Sequence, residues 1–223
     1  MQRRCALVTG GSRGIGAAIR TELETRGCRV LAPQRTELDL GVAGSIDAYL
    51  QANAELEVDI LINNAGINVL NPIPAIDPAN WQMMVQTNVT ASLRLIQAFA
   101  PGMARRGWGR ILSVSSILGV VTREKRAAYS MTKAAINALT RSVAVEFGPA
   151  GVLANALAPG YVDTDLTRQN NTPEMLATIE SSIPLRRLAL AAELAKVAAF
   201  LVSEENTYLT GQTVLADGGF TCQ

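Results

Sequence analysis

Residues 5–16 read Cys-Ala-Leu-Val-Thr-Gly-Gly-Ser-Arg-Gly-Ile-Gly. The apolar first part is typical of a strand buried on both faces of a parallel sheet, and the glycine-rich remainder opens a helical pattern. Glycines let the backbone turn tightly and approach a pyrophosphate, and a helix N-terminus offers the anion free N–H groups and partial positive charge. A plain strand–helix turn is the alternative, but the position between strand and helix favours dinucleotide binding. The candidate cofactor loop comprises Gly10, Ser12, Arg13, Gly14, Ile15 and Gly16.

Beyond this stretch, short β-rich runs alternate with helical patterns, which is typical of a parallel α/β sheet. We predict strands at Cys5–Thr9, Cys28–Ala32, Asp59–Ile62, Arg110–Val114, Val152–Ala158 and Thr213–Leu215. Helices are predicted at Ile15–Arg26, Asn88–Ala104, Ala127–Phe147 and Ala191–Ser203. The expected fold is one domain, residues 1–223, with a doubly wound Rossmann-type parallel sheet of six or seven strands and helices on both faces.

The segment after the second predicted strand is too short for this pattern. Only residues 33–37 lie between Ala32 and Leu38, whereas a parallel crossover normally takes a dozen or more residues, usually including a helix. We therefore predict that the helix after the second strand is missing, and that the next strand, near Glu37–Leu40, is very short or absent.

Composition excludes several classes of function. The chain has 223 residues, 48% of them hydrophobic, and a formal net charge of +1, so no strong field draws it to nucleic acid or to an anionic membrane. It contains no histidine, which removes Ser-His-Asp and Cys-His catalysis and leaves few transition-metal sites. No segment is long and apolar enough to span a bilayer. We expect a cytoplasmic protein without nucleic-acid, membrane or metal partners.

The end of the second predicted strand carries no acid. In dinucleotide sites a carboxylate there holds the ribose 2′-hydroxyl, but this chain has Pro33-Gln34-Arg35. Arg35, together with Arg13 in the glycine loop, would suit a 2′-phosphate, because guanidinium groups bind phosphate through paired hydrogen bonds. We expect NADP(H) to be preferred, with NAD(H) possible. The alternative is that both arginines are solvated, and the missing helix leaves the position of Arg35 open.

Tyr129 and Lys133 are the best candidates for acid–base chemistry. At spacing i, i+4 they lie on one face of the predicted helix. An unperturbed tyrosine has a pKa of about 10, and a neighbouring ammonium is expected to lower it, so that Tyr129 could donate or accept a proton near neutral pH. The preceding strand ends in Ser113-Val114-Ser115-Ser116, which places serine hydroxyls where ligands bind in parallel sheets.

These features resemble the classical short-chain dehydrogenase/reductase family in chain order, from Ala6 to about Gly219. The matches are the TGxxxGxG loop at Thr9–Gly16, the NNAG motif at Asn63–Gly66, the helix asparagine Asn88, Ser116 at the family's spacing before the YxxxK pair Tyr129 and Lys133, and the PG…T segment at Pro159, Gly160 and Thr164. Within the family, the chain is most similar to bacterial 3-oxoacyl-carrier-protein reductases, a likeness that reductases of unrelated substrates share.

The resemblance implies a role for each matched residue. Tyr129 would be the general acid in reduction, Lys133 would lower its pKa and hold the nicotinamide ribose, and Ser116, favoured over Ser115 by its spacing, would orient the carbonyl. Asn88 would hold a water linking Lys133 to solvent. The other cofactor contacts would come from Asn64, Ala65 and Gly66 on the adenine-ribose side, Asp39 at the adenine, and Pro159, Gly160, Val162 and Thr164 around the carboxamide. The cofactor itself carries the hydride.

The substrate is less well defined by the sequence. We expect a pocket near Ser116, Leu118, Tyr129 and Tyr161, covered by a polar lid at Asp163–Arg187 with a mobile loop at Asn170–Pro173 before a short helix. The segment Val120–Arg126 carries three cations. It is either a solvated loop or a docking surface for an acidic carrier protein or an anionic substrate.

Three functions remain open. The first is an NADP(H)-dependent reductase of a 3-oxoacyl thioester or similar carbonyl. The second is an NAD(H)-dependent dehydrogenase of a secondary alcohol, sugar or steroid. The third is a nucleotide-binding regulator without catalysis, which the presence of Asn88, Ser116, Tyr129 and Lys133 disfavours. Because the helix at Ala127–Phe147 is apolar almost all round, it needs a partner on a second side, and we expect a homodimer or homotetramer.

Overall fold

Six short apolar runs form one parallel sheet. The structure is a computed structural model that describes residues 4–169 and 171–222, the side chain of Leu166 excepted. Its strands are β1 (Cys5–Val8), β2 (Arg29–Leu31), β3 (Ile60–Asn63), β4 (Gly109–Val114), β5 (Val152–Pro159) and β6 (Thr213–Ala216). They are hydrogen-bonded in the order β2-β1-β3-β4-β5-β6, and every pairing is parallel.

Helices cover both faces of the sheet. They are α1 (Gly14–Thr25), α2 (Ala43–Ala52), α3 (Pro78–Val85), α4 (Ala91–Arg105), α5 (Ala127–Phe147), α6 (Asp165–Gln169), α7 (Pro173–Ser182) and α8 (Ala191–Leu201). A turn of π-helix, Gln86–Thr90, joins α3 to α4. The core beneath α1 and α8 is separate from the core beneath α2, α4 and α5.

Strand β1 shows how the sequence builds both layers. Its side chains alternate between the two faces: Ala6 and Val8 pack with α1 and α8, whereas Leu7 packs with the helices on the opposite face. All three are fully buried, which explains why the run is apolar at every position. Because β1 lies between β2 and β3, the winding of the chain reverses there, and ligands of such sheets bind beyond the carboxyl ends of the strands at this point.

The predicted Rossmann-type sheet is confirmed, with six strands in the described part of the chain. All ten predicted elements are present, with ends that differ by one to three residues, and α5 spans Ala127–Phe147 as predicted. Residues 32–42 contain turns but no helix or strand. As predicted, this segment contains neither a helix directly after β2 nor a strand near Glu37–Leu40. The next helix, α2, begins at Ala43.

Three helices, α2, α3 and α6, were not predicted individually. For α3 the sequence did hold a signal, since the Asp77 carboxylate accepts hydrogen bonds from the N–H groups of Ala79 (2.7 Å) and Asn80 (3.0 Å) and Pro78 follows as the first helical residue. In the lid segment the short helix is present as α7, which begins at Pro173. The expected mobile loop includes Asn170, which lies outside the described residues.

Candidate active site

Thr9 and Asn64 fasten the glycine loop to the neighbouring strand. The Thr9 hydroxyl accepts hydrogen bonds from the backbone N–H groups of Asn64 (3.0 Å) and Ala65 (3.1 Å). In return, Asn64 Nδ2 donates to the carbonyl oxygens of Thr9 (2.9 Å) and Gly10 (3.2 Å). These contacts fix the turn after β1 against the turn after β3.

The glycine loop fits a pyrophosphate. A Cβ on Gly16 would lie 2.2 Å from the carbonyl oxygen of Gly10 and 2.4 Å from Asn64 Nδ2, so this position has no room for a side chain. Gly14 has a φ of +56°, a conformation that favours glycine. Helix α1 begins there with no side-chain cap and no acid in its first turn. Its first N–H groups are therefore available to an anion.

The segment around Pro159 returns over this loop. Pro159 ends β5, Gly160 follows it, and Val162 is buried. The Thr164 methyl carbon lies 3.6 Å from the place that a Cβ on Gly14 would take. The structure therefore brings the predicted carboxamide and pyrophosphate residues together.

The predicted ribose and adenine residues contact each other. The Arg35 side chain, 84% exposed, forms a 3.0 Å ion pair with Asp39. The Gly41 N–H donates to the same carboxylate at 2.9 Å, and these hydrogen bonds, that of Gly41 first, hold the pKa of Asp39 below its usual value. Arg13 is also exposed, as is Ser12, while Ile15 is half-buried. Because an exposed ion pair is worth little, Arg35 can exchange Asp39 for a phosphate.

Tyr129 stands in the first turn of α5 and meets Ser116 at the end of β4. A hydrogen bond with Ser116 acts on the pKa of Tyr129, and Ser116 Oγ also accepts from the Leu118 N–H at 3.1 Å. Ser115 is buried, and its hydroxyl donates to the carbonyl oxygen of Lys133 at 3.3 Å. Ser116 is therefore the serine beside the phenol, whereas Ser115 belongs to the packing of α5 on the sheet.

Lys133 is buried beneath Tyr129. Its ammonium donates to the carbonyl oxygen of Val114 at 2.7 Å and lies 5.5 Å from the centroid of the Tyr129 ring. Burial lowers the pKa of Lys133 to about 8. A Cβ on Gly66 would lie 3.5 Å from Lys133 Nζ, so the glycine of the NNAG motif keeps the space beside the ammonium narrow but open.

The expected lowering of the tyrosine pKa by Lys133 is wrong for this arrangement. Although part of the Tyr129 side chain reaches the surface, desolvation by burial raises the pKa of Tyr129 to about 12. The groups that oppose this rise are Ser116, through its hydrogen bond, and Arg126, through its charge. Lys133 is directed at Val114 instead.

Asn88 lies in the π-helical turn before α4 and is buried. Its Oδ1 accepts from the Ile67 N–H at 2.9 Å, and its Nδ2 donates to the Ile67 carbonyl at 2.9 Å and to Thr132 Oγ1 at 3.1 Å. Single turns of π-helix are frequent at functional sites. Here the turn sets Asn88 between the chain that leaves β3 and the helix that carries Tyr129.

The other side of Tyr129 is lined by cations and by the lid. Arg123 Nη1 donates to the Tyr161 hydroxyl at 2.7 Å. Tyr161 meets Phe220 edge-to-face and packs on the lid residues around α7. Arg126, just before α5, is only 8% exposed. The sequence marked the cations of Val120–Arg126 as a group, but it did not single out Arg126, because nothing in a run of charged residues shows which one turns inward.

The described part of the chain contains neither a candidate metal centre nor a candidate membrane-spanning helix. It contains no cluster of three or more metal-ligating side chains. None of its helices combines the length and the apolar character needed to cross a membrane.

The chain is similar to known proteins over nearly its whole length. The family profile described as enoyl-(acyl carrier protein) reductase matches residues 32–221. The 3-oxoacyl-[acyl-carrier-protein] reductase of Vibrio cholerae is 35% identical, with 98% of each chain covered. The acetoacetyl-CoA reductase of Shinella zoogloeoides is 34% identical, with 97% of this chain and 98% of that protein covered.

Solved structures with the same fold include a gluconate 5-dehydrogenase from Burkholderia cenocepacia, in complex with NADP and tartrate. It superposes with a TM-score of 0.94 at 29% identity, covering 100% of this chain and 97% of that one. These relatives are named for different substrates, namely an acyl-carrier-protein thioester, acetoacetyl-CoA and gluconate.

Proposed function

Because this chain belongs to the short-chain dehydrogenase/reductase family of NAD(P)-dependent oxidoreductases, we propose that it reduces a ketone to a secondary alcohol with NADP(H), with Tyr129 as the general acid. The observation that carries this proposal is the position of Tyr129 against Ser116 and above the buried Lys133. Asn88, Ser116, Tyr129 and Lys133 form the catalytic group. A regulator without catalysis has no need of all four.

The raised pKa of Tyr129 keeps the phenol in the acid form that reduction uses. With a pKa of about 12, the phenol is protonated at neutral pH and is ready to donate its proton to the carbonyl oxygen as that oxygen becomes an alkoxide. Ser116 donates a hydrogen bond to the same oxygen, which orients the carbonyl and spreads the developing charge. The phenolate regains its proton from solvent, which part of the Tyr129 side chain reaches. Lys133 would hold the nicotinamide ribose, and Asn88 holds the adjoining backbone. When bound, the nicotinamide supplies the hydride.

The cofactor contacts follow from the two turns and the returning segment. Gly10, Gly14, Gly16 and the N-terminus of α1 would hold the pyrophosphate, Arg13 and Arg35 the 2′-phosphate of NADP(H), and Asp39 the adenine. Asn64, Ala65 and Gly66 would line the adenine-ribose side, and Pro159, Gly160, Val162 and Thr164 the carboxamide. NAD(H) remains a possible cofactor, because the truncated segment leaves Arg35 exposed.

Two substrate classes are supported by different observations. A 3-oxoacyl thioester is favoured by the Vibrio and Shinella relatives, whose names give acyl-carrier-protein and acetoacetyl-CoA substrates. A hydroxy acid or sugar acid is favoured by the Burkholderia structure, a gluconate 5-dehydrogenase that holds tartrate. In both cases the reacting carbon would lie among Ser116, Leu118, Tyr129 and Tyr161.

We also propose a homodimer or homotetramer. Met131 and Val145 on α5 are 57% and 78% exposed, and Ala134 and Ala138 between them are exposed as well. An apolar stripe of this kind along one helix is typical of a contact surface. Light scattering that shows a monomer at micromolar concentration would contradict the oligomer.

The proposed activity is tested by the loss of NADPH absorbance with an acetoacetyl thioester and, separately, with keto acids. We expect rapid loss with NADPH, slower loss with NADH, and loss that is about 10²–10⁴-fold slower in Tyr129→Phe. If no ketone of either class is reduced while NADPH still binds, the proposed reaction is wrong although the cofactor assignment stands. If NADPH does not bind, the cofactor assignment is wrong.

A further inference from the structure

A buried arginine beside Tyr129, Arg126, has no partner among the residues that the structure describes. Arg126 is 8% exposed, and among residues 4–169 and 171–222 its guanidinium takes part in no hydrogen bond or ion pair. The charged and titratable groups that act on it belong to Arg123, Tyr161 and Tyr129, and none of these is an acid at neutral pH. Burying an unpaired charge is costly, so the Arg126 guanidinium is suited to bind an anion.

The other buried arginine of the chain shows what a purely structural role looks like. Arg110 is 5% exposed, and its guanidinium donates to four backbone carbonyl oxygens, those of Gly109, Gly151, Ser203 and Asn206. Such a network offsets the cost of burial. Arg126 is buried to nearly the same extent, but residues 4–169 and 171–222 give its guanidinium no comparable set of acceptors.

Arg126 is not sealed inside the protein, because 8% of its surface stays accessible. Its electrostatic partners include Tyr129 and Tyr161. The guanidinium therefore lies near the phenols on the proposed substrate side.

Two neighbouring features add positive potential at the same place. Arg123, which is exposed, reaches over to the Tyr161 hydroxyl. Helix α5 begins directly after Arg126 with no side-chain cap and no acid in its first turn, so its first N–H groups also face an anion favourably. A 21-residue helix, a buried guanidinium and a second arginine therefore converge beside the proposed acid.

We propose that Arg126, supported by Arg123 and the N-terminus of α5, binds a carboxylate that the substrate carries close to its reacting carbonyl. The substrate is then a keto acid, and the product the corresponding hydroxy acid. This inference rests on the proposed function, whose substrate class it narrows, and it makes Arg126 a specificity-determining residue.

The burial of Arg126 argues for a small substrate anion and against an acidic protein surface. A carboxylate on a carrier protein would meet the exposed cations of this loop, Arg123 and Lys125, but it could not reach a residue that is only 8% exposed. A carboxylate on the substrate enters the crevice with the carbonyl. Because guanidinium and carboxylate pair through two parallel hydrogen bonds, this contact would also fix the orientation of the carbonyl toward Tyr129.

The test compares keto acids with their neutral esters. For the wild type and for Arg126→Gln, kcat/KM with NADPH is measured for acetoacetate and levulinate and for the methyl ester of each. We expect the wild type to favour the acids over the esters, and Arg126→Gln to lower the acid-to-ester ratio by about 10²-fold. Arg126→Lys should keep part of the preference. Arg105→Gln, which removes an exposed cation at the end of α4, should leave the ratio unchanged.

Each outcome decides the inference. Equal kcat/KM for acids and esters in the wild type, or an equal loss for both in Arg126→Gln, would overturn it. Unchanged melting temperature and NADPH affinity in Arg126→Gln show that the variant is folded. If no ketone is reduced, the proposed function fails, and the anion site is tested instead by calorimetric binding of malonate to the NADP⁺-loaded protein. Malonate binding that weakens at least about 10-fold in Arg126→Gln supports the anion site. Equal malonate binding by the two proteins, or no binding, rejects it.

Discussion

The two sides of Tyr129 each contain a buried cation, and the two cations are held in different ways. On the cofactor side, Lys133 is 4% exposed and its ammonium is fixed on the Val114 carbonyl, while Asn88 is held by both backbone groups of Ile67. On the substrate side, Arg126 is 8% exposed and has no hydrogen-bonding partner in the described part of the chain.

The difference reflects what each side receives. The cofactor is common to the family, and the residues that meet it are set by the protein's own backbone, which keeps them in place without a ligand. The substrate differs among relatives, and the cation proposed to bind it, Arg126, would gain its partner when the substrate carboxylate binds. A buried cation that is held by protein partners, such as Lys133, therefore indicates a preorganised catalytic or cofactor-binding group. A buried cation without such partners among the described residues, as for Arg126, indicates a residue that selects the substrate.

The largest effect is expected where the two sides meet. Tyr129→Phe removes the proton donor but keeps the ring, so kcat should fall by about 10²–10⁴-fold, the usual contribution of a general acid, while the affinity for NADPH changes little. Stopped-flow or steady-state NADPH oxidation and fluorescence titration of NADPH measure the two quantities. A kcat within a factor of three of the wild type would remove Tyr129 from the chemistry.

Two adjacent serines provide a matched control for that site. Ser116→Ala should lower kcat by about 10²-fold, because it removes a hydrogen bond to the developing oxyanion. Ser115→Ala removes only the hydroxyl that donates to the Lys133 carbonyl and should act mainly on stability, by about 1 kcal/mol. The reverse ranking of the two variants in kcat would exchange their roles.

The rigidity of the cofactor side is tested by Gly16→Ala. The new Cβ would lie 2.2 Å from the Gly10 carbonyl oxygen, a backbone atom, and 2.4 Å from Asn64 Nδ2, so the loop must shift. We expect NADPH affinity to fall about 10²-fold and the free energy of unfolding by roughly 1–3 kcal/mol. Gly44→Ala in α2, where a Cβ meets nothing within 4 Å, is the control. Equal NADPH affinities for both variants would show that the loop does not clasp the cofactor.

Much of the cofactor side could be predicted from the sequence because its signals are local. The glycine loop needs glycine at position 16 for steric reasons that hold whatever the rest of the chain does. Helix α5 ends where Gly148-Pro149 cannot continue it, and the spacing of Tyr129 and Lys133 follows from the helix. The absence of a helix directly after β2 could be predicted because residues 33–37 are too few to form one.

The substrate side could not be predicted because its geometry depends on contacts distant in sequence. A run of four charged residues, 123–126, reads as a solvated loop, yet Lys125 has a φ of +62°, and the turn it makes is followed by the buried Arg126. The pKa of Tyr129 was misjudged for the same reason: spacing shows that Lys133 is near, but only the fold shows that its ammonium is used by Val114 and that burial dominates.

The buried ammonium of Lys133 predicts a pH-dependent stability. Its pKa, about 8 in the folded protein against 10.5 ordinarily, means that the unfolded chain binds more protons between these pH values, so the free energy of unfolding gains from Lys133 as pH rises through that window. In Lys133→Met this gain is absent. Relative to the wild type, the variant should lose on the order of 2 kcal/mol between pH 7 and pH 10, measured by urea unfolding. For Lys196→Met, at an exposed site on α8, the free energy of unfolding should change with pH as it does in the wild type. The same pH dependence for Lys133→Met would show that the Lys133 ammonium is not desolvated.

The smallest effect is expected at Arg35, an exposed residue of the cofactor side. Arg35 is paired with Asp39 at the surface, so Arg35→Ala should cost almost no stability. If Arg35 binds the 2′-phosphate, the variant should raise the Kd for NADPH about 10-fold, as expected for a lost hydrogen-bonded charge, and leave the Kd for NADH unchanged. Arg20→Ala, which removes a similar exposed ion pair in α1, should change neither. Equal weakening of both cofactors would mean that Arg35 only orders residues 32–42, and that the choice between NADP(H) and NAD(H) is made elsewhere, with Arg13 in the glycine loop as the next residue to test.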